Sequence, residues 1–271
     1  VTFTTGAELI AATENPKYKM IILTPPQRRS VTANPKVYSE AEVEAVANFA
    51  KAGNTVIITN YTDKYDNKNL ADGHMSAEQN KLLAAMGARL RLSDDASLDE
   101  TYHASSGSNR LYFGNFNVNN PLMAGIVYNK DGVLKSIAYA EGKSNDTQVW
   151  SQYDGTTIYA VDGSGNPTST LPESVNPMVY GYLTTVSHDT DGDGKGGSST
   201  PKYPMKQVDT EGEAVMIIAS ETLAGGGTVI AGGGTFLSDY EVKEMDFAGQ
   251  LNYANYTVAS NIISGLYSPE I

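Results

Sequence analysis

The run KMIILT, residues 19–24, is short, continuous and apolar, and it ends at two prolines. Runs of this kind are typical of a strand that is buried on both faces of a sheet. Ser39 and Glu42 then have the spacing of a helix capping box, and apolar residues recur at helical spacing until Gly53. A second apolar run, residues 56–58, follows at once. Strand, helix and strand in this order predict a βαβ unit and a parallel sheet covered by helices.

The rest of the chain divides into a β-rich middle and an α/β end. A second helix is predicted from Ser76, again with capping-box spacing, and it ends before Gly87. Segments such as 136–140 and 157–161 alternate and are separated by Gly-rich turns, which predicts hairpins. Strands at 214–219 and 228–231, a third capping box from Ser238 to Glu241 and a helix at 254–266 complete the chain. We predict one α/β domain over residues 1–271, with a β-rich insert at 100–205.

Two segments resemble a known superfamily. Residues 39–42 with FAKAGNTVII at 49–58 are similar to its capped helix and second strand, and GGTVIAGGGTFLSD at 226–239 with the helix at 255–266 is similar to its last strand, glycine loop and terminal helix. The superfamily is the class I glutamine amidotransferase-like one, in the divergent branch of ThuA-like proteins and auxiliary proteins of gliding-type ABC transporters. The resemblance implies a flavodoxin-like parallel sheet flanked by helices, into which this chain inserts its β-rich segment.

The catalytic residues of that superfamily have no counterparts in this chain. Its enzymes use a Cys nucleophile in a Gly-x-Cys-x-Gly elbow, with a His and a Glu near the carboxyl end. This chain has no Cys, and its three histidines, His74, His103 and His188, all precede the last α/β strands. Glutamine hydrolysis by this mechanism is therefore excluded, and the resemblance implies a scaffold without the family's catalytic machinery.

The sequence DTDGDGK, residues 189–195, has the spacing of a calcium loop. Asp189, Asp191 and Asp193 occupy positions 1, 3 and 5 of an EF-type loop, a glycine follows, and Lys195 is placed to offer its backbone carbonyl. Position 12 is Thr200 rather than glutamate, so a last carboxylate has to come from elsewhere, with Asp209 and Glu211 nearest in sequence. The alternative is a solvated acidic turn. We predict Ca²⁺ as the cofactor, holding residues 187–204 in place.

Composition limits the partners. The formal charge of −12 and the pI near 4.6 disfavour nucleic acid and anionic membranes, which need clustered Lys and Arg. No apolar run approaches a membrane span, so membrane insertion is not expected. The absence of Cys, the polar composition and the calcium loop favour an extracellular or cell-surface location. The chain opens at Val1 without a signal peptide, and we expect it to be part of a larger multidomain bacterial protein.

Two groups of polar residues are candidate ligand-binding residues because they follow predicted strands, whose carboxyl ends line the crevice of an open parallel sheet. The alternatives are a plain polar loop for the first group and close packing for the glycines of the second. The aromatic residues Trp150, Tyr153 and Tyr159 either stack on sugar rings or pack across strands. The candidates are Asn60, Tyr61 and Asp63 in the first group, and Gly233, Gly234, Thr235, Ser238 and Asp239 in the second.

These features predict a non-catalytic, calcium-stabilised α/β domain of a secreted or cell-surface protein, which binds a carbohydrate or a protein partner. Two alternatives stay open. One is an extracellular hydrolase that acts on glycans or esters through strand-end carboxylates such as Asp63, Asp239 and Glu241. The other is a purely structural spacer domain.

Overall fold

The computed structural model describes residues 2, 4–25, 29–31, 33–70, 72–103, 107–126, 148–205, 212–244 and 252–267. This part of the chain contains four α-helices and sixteen strands. The helices are α1 (Gly6–Glu14), α2 (Glu40–Lys51), α3 (Met75–Met86) and α4 (Ala254–Tyr267). The strands of the first half are β1 (Met20–Leu23), β2 (Thr55–Thr59), β3 (Leu90–Leu92), β4 (Ala96–Leu98), β5 (Arg110–Phe113) and β6 (Asn115–Phe116).

The strands of the second half are β7 (Gln148–Tyr153), β8 (Ile158–Val161), β9 (Pro167–Thr168), β10 (Val175–Tyr180), β11 (Val186–His188), β12 (Tyr203–Pro204), β13 (Glu213–Ala214), β14 (Met216–Thr222), β15 (Thr228–Gly232) and β16 (Asn252–Tyr253). Short 3₁₀ turns lie at Arg29–Val31, Asp63–Tyr65, Pro121–Met123 and Gly197–Ser199, and a π-helical turn lies at Tyr240–Glu244. No helix among the described residues is both long and apolar enough to cross a bilayer.

The predicted βαβ unit is confirmed. Strands β1 and β2 pair in parallel, and α2 connects them. The capping box at the start of α2 makes both of its hydrogen bonds, since Ser39 Oγ accepts from Glu42 N and the Glu42 carboxylate accepts from Ser39 N. Gly53 follows the helix with φ +91°, a left-handed conformation that favours glycine. Local sequence signals therefore fix this unit.

The predicted flavodoxin-like parallel sheet is wrong. The nine-stranded main sheet runs β1-β2-β15-β14-β10-β6, and β8 joins it through β14 and also pairs with β3 and β9. Only the pairs β1–β2 and β2–β15 are parallel in this described sheet, and the other pairs are antiparallel. The physical reason lies at residues 223–227, which alone connect β14 to β15. So short a link makes an antiparallel hairpin, whereas a parallel crossover needs a dozen residues or more.

The main sheet has a hydrophobic core on each face. Val56 and Ile58 of β2 face the core that α1, α2 and α3 cover, whereas Ile57 faces the second core. This second core contains Trp150 of β7 and Val258 of α4, and a three-stranded sheet, β16-β7-β5, runs through this region. Burial on both faces explains why β2 is apolar at every central position.

The strands predicted between residues 100 and 205 take part in both sheets. β6, β8 and β10 are strands of the main sheet, and β5 and β7 belong to the three-stranded sheet. β8 and β9 form the hairpin that the Gly-rich turn at 163–166 predicts, with Asp162 N bonded to Asn166 O. The predicted strand at 136–140 lies outside the described residues.

Three details of the predicted helices differ in the structure. α3 begins two residues earlier than expected, since its N-cap is His74 rather than Ser76, and Ser76 Oγ donates to Asp94 instead of capping. Ser238 Oγ does accept from Glu241 N, but the turn that follows is π-helical. In α4, Val258 and Ile262 are buried as expected, whereas Ile263 is 53% exposed.

Candidate metal centre

The acidic loop 189–195 is anchored at the end of β11, which pairs with β4. The Asp189 carboxylate organises the loop, because its two oxygens accept from Gly192 N at 2.6 Å, Asp193 N at 3.2 Å and Gly194 N at 2.9 Å. Gly192 and Gly194 have φ values of +72° and +85°, which residues with a side chain rarely adopt. The glycines are thus required by the turn, and the three Asp side chains are held near one another.

Asp63 comes to this loop from the carboxyl end of β2. Its Oδ2 accepts from Thr190 N at 2.6 Å, and carboxylate oxygens of Asp63, Asp189 and Asp191 lie within 4.8 Å of one another. Asp63 is 2% exposed. The second oxygen of Asp191, Oδ2, is buried and has no hydrogen-bond partner among the described residues. Three carboxylates from two distant segments therefore converge where a cation can bind.

The charges of this cluster are incompletely compensated. Burial raises the pKa of Asp63 against its hydrogen bonds, and burial together with the nearby Asp193 raises the pKa of Asp191. The pKa of Asp189 is lowered, and the largest cause is the hydrogen bond from the backbone N–H of Gly194. Burial acts to raise the pKa of Asp193, but the hydrogen bonds from Lys195 outweigh burial, so the pKa of Asp193 is lowered. These acidic groups can hold a metal ion, whose charge would stabilise the ionised form of Asp63 and Asp191.

Lys195 and Thr200, the other residues expected in the loop, are both hydrogen-bonded to neighbouring side chains. Lys195 Nζ lies 2.8 Å from Asp193 Oδ2, and its backbone N–H donates to Asp193 Oδ1. Thr200, at position 12, shares hydroxyl hydrogen bonds with Ser93 and Ser187 at 3.1 and 2.9 Å. The suggested closing carboxylates at positions 209 and 211 lie outside the described residues. Among those described, Asp63 is the carboxylate from outside the loop that meets Asp189 and Asp191.

A second group of side chains lies beside the loop. His74, at the start of α3, has Nδ1 2.9 Å from Asp94 Oδ2 and 3.8 Å from Asp66 Oδ2. Its Nε2 lies 3.0 Å from Lys195 Nζ. Burial and the neighbouring Asp94 raise the pKa of Asp66 to about 9. The acidic cluster thus extends from the loop to the first turn of α3.

The other candidates of the first ligand-binding group lie close to the acidic cluster along the chain. Asn60 is 1% exposed, and its Oδ1 has no hydrogen-bond partner among the residues described. Tyr61 is half-buried, and its ring meets the Tyr65 ring edge-on at a centroid distance of 5.9 Å. The structure therefore brings only Asp63 of this group into the set of converging carboxylates.

The glycine loop after β15 is packed against protein. Gly233 N donates to Ile217 O, so this N–H is not available to an anion, and Gly233 O accepts from Thr156 N. A side chain at Gly234 would contact Gln152 at 3.1 Å. Thr235 and Ser238 are half-buried and Asp239 is exposed, and the hydroxyl of Ser238 is engaged with Glu241 N. Close packing accounts for the glycines.

The aromatic residues of the predicted carbohydrate surface pack mainly inside the protein. Trp150 is 1% exposed, and its ring lies 5.5 Å from the Phe236 ring. The Tyr153 ring packs against Tyr240, and Arg110 lies over it at 5.1 Å. Tyr159 is half-buried. Cross-strand and interlayer packing is therefore what the structure shows for these side chains.

The carboxylates suggested for a hydrolase lie in different surroundings. Asp63 belongs to the acidic cluster and Asp239 is exposed. Glu241 is 1% exposed, with Ser151 Oγ and Tyr153 N bonded to its two oxygens at 2.7 and 2.8 Å. Its burial raises the pKa of Glu241 to about 7. These contacts tie the π-helical turn to β7.

Glu241→Gln is expected to change how stability depends on pH. Because the folded-state pKa of Glu241 is raised to about 7, the folded protein keeps a proton that the unfolded chain releases near its ordinary value of 4.5. The wild type therefore loses stability as pH rises from about 4.5 to 7, and the glutamine variant lacks this loss. Between pH 4.5 and pH 8, the unfolding free energy of the wild type should fall by about 3 kcal/mol relative to that of the glutamine variant. Urea unfolding of both proteins across this range measures the shift, and a constant difference would contradict it.

Sequence reasoning did not find Asp66, His74 and Asp94, and assigned Asp63 to a ligand pocket. These residues are separated in sequence and have no metal-ligand spacing, so only the fold assembles them. The one local signal is that Asp63 and Asp66 follow the carboxyl end of β2. His188 is exposed.

Comparison with known proteins gives a fold neighbour. No family model matches the chain, and no curated protein matches it. A solved structure described as the mmIFT52 N-terminal domain is similar at a TM-score of 0.52 and 12% sequence identity, over 100% of this chain and 84% of that one. At this identity the likeness shows the fold alone. The neighbour is thus an IFT52 N-terminal domain rather than a flavodoxin-like domain, in agreement with the mixed sheet.

The same comparison corrects the predicted extracellular or cell-surface location. The fold neighbour is described as an IFT52 N-terminal domain, and that description contains no secreted or cell-surface protein. The features behind the prediction were the absence of Cys, the polar composition and the calcium loop. Intracellular proteins also show each of these features, so they do not determine a location.

Proposed function

We propose that this chain is a non-catalytic binding or interaction domain that Ca²⁺ stabilises. The observation that carries the proposal is the meeting of Asp63 with Asp189 and Asp191, whose carboxylate oxygens lie within 4.8 Å of one another. This contact supplies the carboxylate that the loop sequence lacks at its twelfth position. The amidotransferase-like relationship stays a proposal that rests on the sequence of residues 39–58 and 226–239, since the main sheet is not the flavodoxin-like one that it implied.

Calcium suits these ligands better than other common cations. The converging groups are carboxylates, and Ca²⁺ takes six to eight oxygen ligands in flexible geometry, whereas Mg²⁺ requires a near-ideal octahedron. Asp189, Asp191 and Asp193 retain the order of an EF-type loop, and Asp63 adds an oxygen from β2. The ion would join the loop to the end of β2 and fix the surface around it. Contacts with a protein or carbohydrate partner at that surface are the function we propose.

Asp191→Asn is expected to abolish stabilisation by calcium. Asparagine keeps an oxygen that can accept from Asp193 N, as Asp191 Oδ1 does at 3.0 Å, but it removes the charge and the unpaired Oδ2. Calcium at a hundred times its dissociation constant should stabilise the wild type by about 2.7 kcal/mol relative to EDTA. Thermal unfolding in EDTA and in calcium, with calorimetric titration of calcium, measures both effects.

Asp162→Asn provides the matched control. Asp162 is exposed in the β8–β9 turn, and it also accepts backbone hydrogen bonds within its own loop, from Ser164 N and Asn166 N. This variant should keep the full calcium response. If wild type shows no response to calcium, or if Asp191→Asn responds as strongly as wild type, the calcium-stabilised domain is rejected.

A further inference from the structure

His74 is buried at the amino end of α3 between two carboxylates. The residue is 8% exposed, and its Nδ1 lies 2.9 Å from Asp94 Oδ2 and 3.8 Å from Asp66 Oδ2. One ligand atom from each of these three residues lies within 4.8 Å of the others. The imidazole and two carboxylates therefore converge on one point beside the acidic loop.

The Nδ1 atom of His74 is a buried polar atom that makes no hydrogen bond among the described residues. Although it is near Asp94, it is buried and makes no hydrogen bond to any described residue, because the nitrogen does not point at that oxygen. His74 also does not cap α3, since Asp66 Oδ1 accepts from Met75 N at 2.9 Å instead. A buried nitrogen without a partner is costly. An ion placed between Nδ1 and the carboxylate oxygens beside it would remove that cost.

We propose that His74, Asp66 and Asp94 form a second metal site, which takes a divalent first-row transition metal ion such as Zn²⁺. Imidazole nitrogen suits these ions and not Ca²⁺, which prefers oxygen. The site lies outside the loop of Asp189 and goes beyond the proposed function, since it does not depend on calcium.

Ligation of His74 through Nδ1 requires one small rearrangement around Nε2. A metal on Nδ1 leaves the ring proton on Nε2, and Asp193 Oδ2 lies 3.6 Å from that atom. Metal-bound histidines usually donate their other ring N–H to such a carboxylate, which orients the ring. The Lys195 ammonium, which lies 3.0 Å from Nε2 and can only donate, then has to turn away from the ring; its side chain is 57% exposed and can do so while it keeps its bond to Asp193 at 2.8 Å. Asp193 would thus belong to the calcium loop and also position the histidine of the second site.

A cavity lies on the Asp94 side of this site, and Asp94 is the one proposed ligand that lines it. Its volume is about 300 Å³, and Asp94, Ser76 and Lys195 are among the residues that line it. Three protein ligands with a water in a fourth position are the usual arrangement of an open zinc site. Water or a small oxygen ligand from the cavity can complete the coordination.

Titration with Zn²⁺ in the presence of saturating Ca²⁺, followed by calorimetry and by ¹⁵N spectra of the histidine side chains, tests the proposal on the full chain. Wild type should bind one Zn²⁺ per chain, and the ¹⁵N shift should change at Nδ1 of His74. His74→Asn should weaken zinc binding by about tenfold or more. His188→Asn is the matched control, because His188 is exposed near the same loop, and it should bind as wild type.

Two further variants keep the result decisive. Asp94→Asn retains an oxygen for the hydrogen bond from Ser76 Oγ, so it should fold while losing about tenfold in zinc affinity. Asp191→Asn should lose calcium but keep zinc, which separates the two sites. The proposal is overturned if wild type binds no zinc, if the shift appears at Nε2 instead, or if folded Asp94→Asn binds zinc unchanged. An ion pair between a charged His74 and its two carboxylates would then explain the cluster.

Discussion

Asp95→Ala is expected to lower the free energy of unfolding by about 4 kcal/mol, because it leaves several buried donors without an acceptor. Asp95 is fully buried just before β4. Its carboxylate accepts from Thr157 N at 2.8 Å, from the hydroxyls of Thr156 and Thr157 before β8, and from Ser187 Oγ on β11. One side chain therefore joins three segments of the fold, and its backbone oxygen also accepts from Asp63 N at 3.1 Å.

Urea unfolding measures this loss. Asp162→Ala is a suitable control, since Asp162 is exposed and its hydrogen bonds stay within one turn. That change should cost about 0.5 kcal/mol or less. Asp95→Asn, which keeps an acceptor for Thr157 N, should be less destabilising than the alanine variant. A loss for Asp95→Ala no larger than that of the control would show that the network around Asp95 does not hold the segments together.

Gly233→Ala is the second substitution with a large expected effect. An added Cβ would lie 1.8 Å from Thr156 O and 2.7 Å from Thr156 C, which are backbone atoms that cannot rotate away. Separation of the two segments would also break the hydrogen bond from Thr156 N to Gly233 O, at 2.8 Å. We expect a loss of about 3 kcal/mol or more from this overpacking.

The control for this change is Gly163→Ala. The nearest atoms to a Cβ at Gly163 are those of the flexible Arg89 guanidinium, at 3.7 Å. Its unfolding midpoint in urea should therefore match that of wild type, while that of Gly233→Ala falls or the protein fails to fold. If both variants have the same unfolding midpoint, close approach of the backbone is not the reason for glycine at position 233. Anion binding would then again be a candidate reason.

The fold could be predicted from sequence where local signals decide the structure. The capping box at Ser39, the helical spacing in α2 and the apolar β1 and β2 gave the βαβ unit with the correct direction. Strand direction elsewhere depends on connections rather than on residue pattern. The apolar residue pattern of β14 fits a parallel and an antiparallel neighbour equally well. Only the short link at 223–227 shows that β15 is antiparallel to it.

The candidate site could be predicted only in its contiguous part. The spacing of Asp189, Asp191 and Asp193 is visible because the loop is continuous. The additional carboxylate of Asp63, and the group around His74, depend on how the segment after β2 and the start of α3 meet the loop after β11, which no local pattern encodes. The glycines at 233 and 234 illustrate the opposite error, since a Gly-rich turn after a strand looks the same whether it approaches a ligand or a backbone.

The hydrogen bond from Thr190 N to Asp63 Oδ2 joins residues 127 positions apart, and this separation has a kinetic consequence. Contacts between such distant residues pay a large loop-closure entropy and form after the local βαβ unit in a folding chain. A cation that needs Asp63 and the loop together meets its full ligand set only once the chain is nearly native. Such an ion acts after the folding barrier, so it prolongs the lifetime of the folded state and leaves the rate of folding almost unchanged.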